Sequence, residues 1–396
     1  MNIDRVKIQN FKSLVDVNLE LRNLTILTGV NSSGKSSFIQ SLLLFKENID
    51  NIIFETTLRS FLAPERQREV PTNKLSINGT YVNMGEAKAI LSQESTSFVM
   101  MFEIGKEQKT LSISIDPDMN INCPQLPTKD SPQTFDNFYK DMNFQSHTSD
   151  LLQAFDDKCF DYLSTDRAPP ALTFPFSKNI NNNSIGIRGE YSTHFLAEHR
   201  HQALSITQLK HSESKTVQLL ENVEKWLGEI SPNILIKPSA DASIQSSKLI
   251  YQYAYKNTTG SEYSSLNVGF GLTYVLPVIV LILKAKPNDL LIIENPESHL
   301  HPAGQSKIAE LCAIACANGV QIIIETHSDH FINGIRVATK QKTLSPNQSQ
   351  VYYFKKDQNE LESKIDKINI NEDGGIDSYP KGFFDEFDNN LDKLLW

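Results

Sequence analysis

Gly29-Val30-Asn31-Ser32-Ser33-Gly34-Lys35-Ser36 fits the pattern G-x-x-x-x-G-K-[ST] at every defined position. The chemistry that this spacing serves is phosphate binding. The glycines let the backbone curl until successive N–H groups point inward at phosphate oxygens, and a helix beginning at Lys35 adds the positive end of its dipole. Lys35 is expected to reach the β- and γ-phosphates of a nucleoside triphosphate, and the Ser36 hydroxyl to hold Mg²⁺. Gly29, Asn31, Ser32, Ser33, Gly34 and Ser37 complete the loop. A glycine turn that merely caps a helix fits less well. The motif lies between an apolar strand-like run, Leu24 to Thr28, and a stretch with apolar residues at helical spacing, Phe38, Leu42, Leu43 and Phe45.

Such a loop needs a carboxylate to complete the magnesium shell, and the apolar run Leu290-Leu291-Ile292-Ile293 ends in one, Glu294. Behind it come Asn295-Pro296-Glu297-Ser298-His299-Leu300-His301-Pro302 and, further on, Glu325-Thr326-His327-Ser328. A histidine just past a buried strand, as His327 is expected to be, is well placed to contact a γ-phosphate. Taken singly, these pieces are weak. His299 and His301 share a face only if they stand in a strand, and Cys312 and Cys316 have Ala, Ile and Leu as neighbours, so they read as packed side chains rather than zinc ligands.

The elements that must position these groups follow from hydrophobic periodicity. Residues 3–9, 15–21 and 24–28 read as strands, and a helix starts near Lys35. Regular text resumes with strands at 248–255, 290–293 and 320–324 and helices at about 270–284, 303–317 and 329–340. Strands alternating with helices imply an α/β fold around a mostly parallel, covered sheet. Residues 1–50 are expected to form the first part of that unit, 51–247 a large insertion of strands, loops and helices, 248–345 the second part, and 346–396 an acidic extension. The alternating stretches 75–82, 97–104 and 110–115 read as strands of the insertion, and 116–150 and 179–184 as polar loops. The best helical stretch, about 194–229, lacks the sustained heptads of a long coiled coil.

Composition narrows the function. The 396 residues carry 38 Lys and Arg against 47 Asp and Glu, a formal charge of −9. From Asp357 to Trp396 there are 11 acidic and 4 basic residues, so −7 of that charge sits in the tail. A general nucleic-acid coat is excluded, and nucleic acid as a partner would need a patch away from the tail. Candidate patches are Arg188, His194, His199, Arg200, His201, Lys210, His211 and Lys215, and a loop with Arg59, Arg66, Arg68 and Lys74. For both, a solvated face with nearly balanced charge is the plainer reading. The tail's Phe383, Phe384, Phe387 and Trp396 are expected mostly to pack back on the sheet. The four cysteines are too scattered for a disulfide framework, no signal peptide is recognisable, and the most apolar run, 274–283, is too short for a bilayer. A cytoplasmic protein without a membrane partner is the expectation.

The order Gly29–Ser36, Leu266-Asn267-Val268-Gly269-Phe270-Gly271, Leu290–Pro302, Glu325–Ser328 resembles the ABC-type ATPase heads of the SMC, RecF and OLD (overcoming lysogenisation defect) group. It is most similar to short-armed members in anti-phage defence modules, the Septu-type ATPases. The tail stretch Gly374 to Asp385 resembles one subgroup, and the insertion matches only in fragments, among them Asp166-Arg167. The resemblance implies a P-loop NTPase of ABC-ATPase head type, with a mixed sheet, flanking helices and no long coiled coil. It makes Lys35 and Ser36 the Walker A residues, Glu294 the Walker B acid, His327 the switch histidine and Ser298–His301 the D-loop. Asn267, Gly269 and Gly271 stand in the signature motif that caps a partner's nucleotide. It also implies ATP and Mg²⁺ as cofactors and a homodimer or higher even oligomer.

Two positions depart from the family pattern. Asn295 stands where the catalytic glutamate usually follows the Walker B acid, and an amide cannot take a proton from water as a carboxylate can. Either Glu297 is the base, or hydrolysis is slow and ATP mainly holds the dimer together. Asn267 replaces the signature serine, which weakens capping without abolishing it. The chain ends about 70 residues past His327, so a nuclease is expected on a separate polypeptide. Three readings stay open: an anti-phage ATPase that scaffolds and restrains a separate effector, a RecF-like repair ATPase, and a nucleotide-locked scaffold without turnover.

Overall fold

Two antiparallel strands open the chain, β1 (Ile3–Phe11) and β2 (Leu14–Glu20), and β3 (Leu24–Gly29) runs into α1 (Lys35–Glu47). The computed structural model describes residues 2–53, 73–92, 95–104, 109–122, 153–177, 184–255, 258–356 and 362–395. The chain divides into two units. The first comprises Met1–Arg22, Gly29–Asp156 and Phe354–Asp366, and the second Asn23–Thr28, Asp157–Tyr353 and Lys367–Trp396.

In the first unit, β4 (Phe98–Ile104), β5 (Lys109–Ile115) and β6 (Ile121–Asn122) extend the sheet to the order β2-β1-β4-β5-β6. Every pairing in it is antiparallel. One face is apolar: Ile3, Val6, Ile8 and Phe11 of β1 are buried, and Phe11 meets Phe98 edge-on at 5.4 Å. Helix α1 sends Phe45 into a cluster with Phe102 and Phe155, with ring centroids 4.4 and 5.1 Å away. The segment 75–82, expected as a strand, forms only isolated bridges. The Ser76 N–H and carbonyl bond the Asn48 side chain instead of a neighbouring strand.

The second unit is built on parallel strands. β7 (Phe160–Leu163), β13 (Leu290–Glu294), β14 (Gln321–Glu325) and β3 pair in that order, all parallel. β15 (Ser349–Lys356) lies beside β3, with β16 (Ser363–Ile368) beyond it. Leu290–Ile293 and Gln321–Glu325 are buried throughout, as strands covered on both faces must be. A second, antiparallel group centres on β10 (Ser246–Tyr255), which pairs β8 (Phe174–Pro175), β9 (Ile234–Asp241), β11 (Thr258–Thr259) and β12 (Tyr263–Ser264). The stretch expected as an insertion thus supplies a strand, β7, to the parallel sheet, and the expected extension supplies β15.

Helices α2 (Ser192–His199) and α3 (Leu219–Gly228) replace the single stretch read at 194–229. The helix is interrupted because the Glu221 carboxylate accepts the Lys215 and Thr216 N–H groups at 2.6 and 2.9 Å, fixing a loop ahead of α3. The three long helices fall where periodicity put them: α4 (Phe270–Lys284), α5 (Pro302–Ala317) and α6 (Asp329–Lys340). α4 is buried from Val275 to Lys284, but no helix among the described residues is long and apolar enough to cross a membrane. In the tail, Phe383 is buried and stands edge-on to Tyr353 at 5.6 Å, while α7 (Glu386–Leu395) leaves Leu394 and Leu395 exposed. Phe387's side chain, Trp396, Arg59, Arg66, Arg68, Cys123 and most of 116–150 and 179–184 lie outside the described residues.

Asp289, in the loop between α4 and β13, is buried, and its carboxylate accepts the Lys286 N–H at 2.8 Å. Burial outweighs that bond and pushes its pKa up to about 6. The folded chain therefore holds this proton more tightly than the unfolded chain. The cost of ionising it is absent below pH 4 and grows as the pH rises toward 6. Asp289→Asn, which keeps the acceptor, is expected to raise stability at pH 7 by about 1–2 kcal/mol and to lose that advantage as the pH falls to 4; scanning calorimetry at the two pH values checks it.

Candidate active site

The phosphate loop belongs to the first unit. Gly29 and Gly34 have φ of +129° and +106°, and Ser32 lies at +59°. A Cβ on Gly29 would overlap the Phe354 carbonyl oxygen, and one on Gly34 would overlap the Ser363 hydroxyl, so neighbouring atoms, backbone at Gly29 and side chain at Gly34, fill the space that a side chain would need. Val30 N–H donates to the Phe354 carbonyl at 3.2 Å, fixing the loop to β15. Ser33 Oγ donates to the Val30 carbonyl at 2.7 Å, closing the curl. Lys35 is buried, and its Nζ donates to the Gly29 and Val30 carbonyls at 3.0 and 2.8 Å. The loop is thus held in its curled form by its own lysine. Asn31, Ser32 and Ser36 are exposed, and Ser37 is half-buried.

The acid end belongs to the second unit and is set by strand register. Leu27 of β3 pairs Glu325 of β14, and Glu325 pairs Glu294 of β13. Thr326 N–H continues the ladder to the Leu27 carbonyl at 3.0 Å, and Asn295 N–H reaches the Glu325 carbonyl at 2.8 Å. Leu27, Glu325 and Glu294 thus form one row, and Gly29 follows Leu27 by two residues in the chain.

Donors from the β7 end hold the Glu294 carboxylate. Tyr162 Oη donates to Oε1 at 2.9 Å, and Thr165 Oγ1 donates to Oε2 at 2.7 Å. Burial first, and Glu294 second, push the Tyr162 phenol up, so it remains a donor. Arg167 Nη2 donates to the Glu294 carbonyl at 2.7 Å. Sequence reading missed Tyr162 and Thr165 and gave Arg167 no role, because Phe160–Leu163 is four residues long with one polar member. The one available signal was Asp166-Arg167 directly after that short run.

Asn295 has φ of +45°, a left-handed conformation that Asn tolerates better than Glu. The local backbone therefore accounts for an amide next to Glu294. Glu297 is buried, its Oε1 accepts the His327 N–H at 2.9 Å, and burial raises its pKa against the pull of that bond. Glu297 and His327 are thus joined through the backbone that follows β14. Ser298 is half-buried, with its N–H on the Asn295 carbonyl at 3.2 Å.

The signature-like stretch forms a short turn, Ser265–Asn267, ahead of α4. Asn267 and Gly269 are exposed, as are Leu266 and Phe270 at 54% and 55%. Gly271 is required where it is: a Cβ there would stand 2.6 Å from the His299 carbonyl. His299 packs edge-on to Tyr274 at 4.8 Å, so the loop after β13 and the start of α4 form one surface.

The other candidate groups are accounted for by packing. Cys312 and Cys316 are fully buried with raised thiol pKa, and no metal-holding cluster occurs among the described residues. Within the basic patch, Arg188 pairs with Asp166 at 3.0 Å, His194 is buried, and His211 is buried against Glu229 at 3.0 Å. The patch is therefore less charged than its sequence suggests.

A family described as AAA ATPase domain matches residues 1–332, and one described as a protein of unknown function (DUF3696) matches residues 344–394. The Old nuclease of Escherichia phage P2 is 21% identical over 401 residues, covering 88% of this chain and 62% of that protein. The chain thus spans less than two thirds of that relative's length. Among solved structures, an SMC head bound to the C-winged helix domain of ScpA aligns over 93% of this chain and 98% of its own, with a TM-score of 0.50 at 14% identity. An SMC head domain from Thermotoga maritima aligns over 93% and 99%, with a TM-score of 0.41 at 10% identity. The phosphate-loop motif, the parallel sheet and a family match over most of the length agree, and the fold is like that of an SMC head: the chain belongs to the AAA ATPase domain family.

Proposed function

We propose that the chain binds ATP·Mg²⁺, hydrolyses it slowly, and uses the nucleotide to close a homodimer that scaffolds and restrains a separate effector, a nuclease, in anti-phage defence. The observation that carries the ATPase reading is the phosphate loop itself, a G-x-x-x-x-G-K-[ST] run between β3 and α1 whose lysine rests on the loop's own carbonyls. Similarity to the Old nuclease supports a nuclease as the effector. The exposed Leu266, Asn267, Gly269 and Phe270 support a surface that meets a second copy.

The residues fit the group they would hold. Two glycines whose space is taken by the Phe354 carbonyl and the Ser363 hydroxyl, a lysine resting on the loop's carbonyls and a serine at the second helical position form a phosphate cradle. Ser36 and Glu294 are the magnesium ligands in this reading. When bound, the ion offsets phosphate charge and orients the terminal phosphate. Lys35 leaves the Gly29 and Val30 carbonyls for phosphate oxygens. Tyr162 and Thr165 fix the rotamer of Glu294. Asn295 orients a water through its amide without taking a proton, and Glu297, linked to the His327 N–H, serves as the base. Closure then follows differential affinity: ATP binds the closed pair better than the open one, and its loss releases the effector.

Lys35→Ala and Gly29→Ala are expected each to weaken ATP binding at least about a hundredfold, the first by losing the phosphate cation and the second by forcing the loop off Phe354. Equilibrium binding of a fluorescent ATP analogue checks both, and wild-type affinity in either removes the loop from the site. Glu297→Gln is expected to lower kcat by about 10²–10⁴ with little change in nucleotide affinity, as loss of a general base does. Single-turnover hydrolysis measures it, and an unchanged rate eliminates Glu297 as the base. For the scaffold, mass measurement after co-expression with neighbouring genes is expected to give an effector complex whose size depends on ATP. A protein that stays monomeric with and without ATP refutes the closing dimer.

A further inference from the structure

Glu294 is half-buried at the end of β13, and its carboxylate already accepts three hydrogen bonds. Tyr162 Oη donates to Oε1 at 2.9 Å, while Thr165 donates to Oε2 twice, through Oγ1 at 2.7 Å and through its N–H at 3.3 Å. A carboxylate offers about four acceptor positions, two on each oxygen. Among the described residues, then, Oε2 is filled and Oε1 keeps a single open position. The donors stand on a braced segment. Tyr162 lies in β7, whose Leu163 pairs Ile293 of β13. Beyond it the Ser164 N–H bonds the Ile187 carbonyl and the Ala168 N–H the Arg188 carbonyl, both at 2.8 Å. Arg188 Nε reaches the Asp166 carboxylate at 3.0 Å, and Arg167 Nη2 holds the Glu294 carbonyl at 2.7 Å. Strand, loop and acid are thus tied to one another, which fixes where the donors point.

We propose that Tyr162 and Thr165 are selectivity-determining residues of the metal site: by filling Oε2 and one position of Oε1 they restrict Glu294 to a grip through one oxygen, which suits Mg²⁺ and disfavours Ca²⁺. This rests on the reading of Glu294 as a magnesium ligand. Mg²⁺ demands a near-ideal octahedron, draws on one or two carboxylates beside phosphate oxygens, and keeps several waters. Ca²⁺ gathers about six to eight oxygens and commonly takes both oxygens of a carboxylate. Glu294 cannot offer both without breaking the two hydrogen bonds from Thr165. Hydrogen bonds to a ligating carboxylate also orient it, so the donors that exclude the larger ion align the acid for the smaller one. The choice of ion is thus made by β7 and the loop after it rather than by the ligand alone.

Equilibrium binding of a fluorescent, non-hydrolysable ATP analogue in Mg²⁺, in Ca²⁺ and in EDTA tests this, read as the ratio of Kd in Ca²⁺ to Kd in Mg²⁺. The wild-type protein is expected to bind at least about tenfold more tightly with Mg²⁺. Tyr162→Phe combined with Thr165→Val removes both hydroxyl donors while keeping the ring and the branched side chain. It is expected to lower the ratio at least about fivefold, in line with the effect of losing groups that hold a metal's ligands. Thr165→Ser, beside the native Tyr162, retains both hydroxyls and should hold the ratio within about twofold of wild type. A wild-type ratio near one, or a double variant with the wild-type ratio, overturns the proposal. So does a loss of affinity equally large in EDTA, which reports damage to the nucleotide site rather than a changed choice of ion. If the double variant does not fold, Tyr162→Phe alone carries the test, with a lowered ratio expected and an unchanged one overturning it. Glu294→Gln separates this inference from the reading beneath it. If that variant keeps the full gain in affinity that Mg²⁺ gives over EDTA, Glu294 is not a ligand and both fail. If it loses the gain while the double variant keeps its ratio, only the role of Tyr162 and Thr165 fails.

Discussion

The parallel register that sets Leu27, Glu325 and Glu294 in one row is the constraint on which the rest depends. A slip of one residue in β13 would move Glu294 by about 3.3 Å and turn its side chain to the other face of the sheet. Strands buried on both faces have no polar side to correct such a slip, so the register must be held at the ends. Here the Thr326 and Asn295 N–H groups extend the ladder past the strands on either side of Glu325. Polar groups are confined to that end, where the apolar run stops and carboxylates and hydroxyls can find partners.

The same end explains the unusual residues. Glu294 is one methylene longer than aspartate, and that reach lets its two oxygens meet Tyr162 and Thr165 on the neighbouring loop. Asn295 occupies a left-handed position that favours an amide over a longer acid. Outside that backbone kink, Glu297 is the buried carboxylate, held by the His327 N–H.

The signature-like turn, by contrast, leaves apolar side chains in solvent. Leu266 and Phe270 are large apolar side chains left in solvent beside two exposed glycine and asparagine positions, and the loop after β13 packs against the start of α4 through His299 and Tyr274. A small movement of the loop that carries Glu297 would thus be felt at that surface through direct packing. Site and surface share a loop.

The phosphate loop, the three long helices and the strands that end in Glu294 and Glu325 were legible in the amino-acid order, because each is fixed by local periodicity and by residues whose chemistry depends on short spacing. The mostly parallel sheet followed from their alternation. What the order could not reveal was β7, four residues inside a stretch read as an insertion, and β15, inside a stretch read as an acidic extension. Short strands carry too few side chains for a period, and their place is decided by the neighbours they pair with. Tyr162, Thr165 and Arg167 went unassigned for that reason: they stand about 130 residues from Glu294 and reach it only once β7 has docked on β13. Sequence alone determined which chemistry the chain carries, since that depends on residue types a few positions apart. Tertiary structure decided which side chains hold the Glu294 carboxylate and that Glu297 is buried on the His327 N–H, since burial and hydrogen-bond partners are set by distant segments meeting.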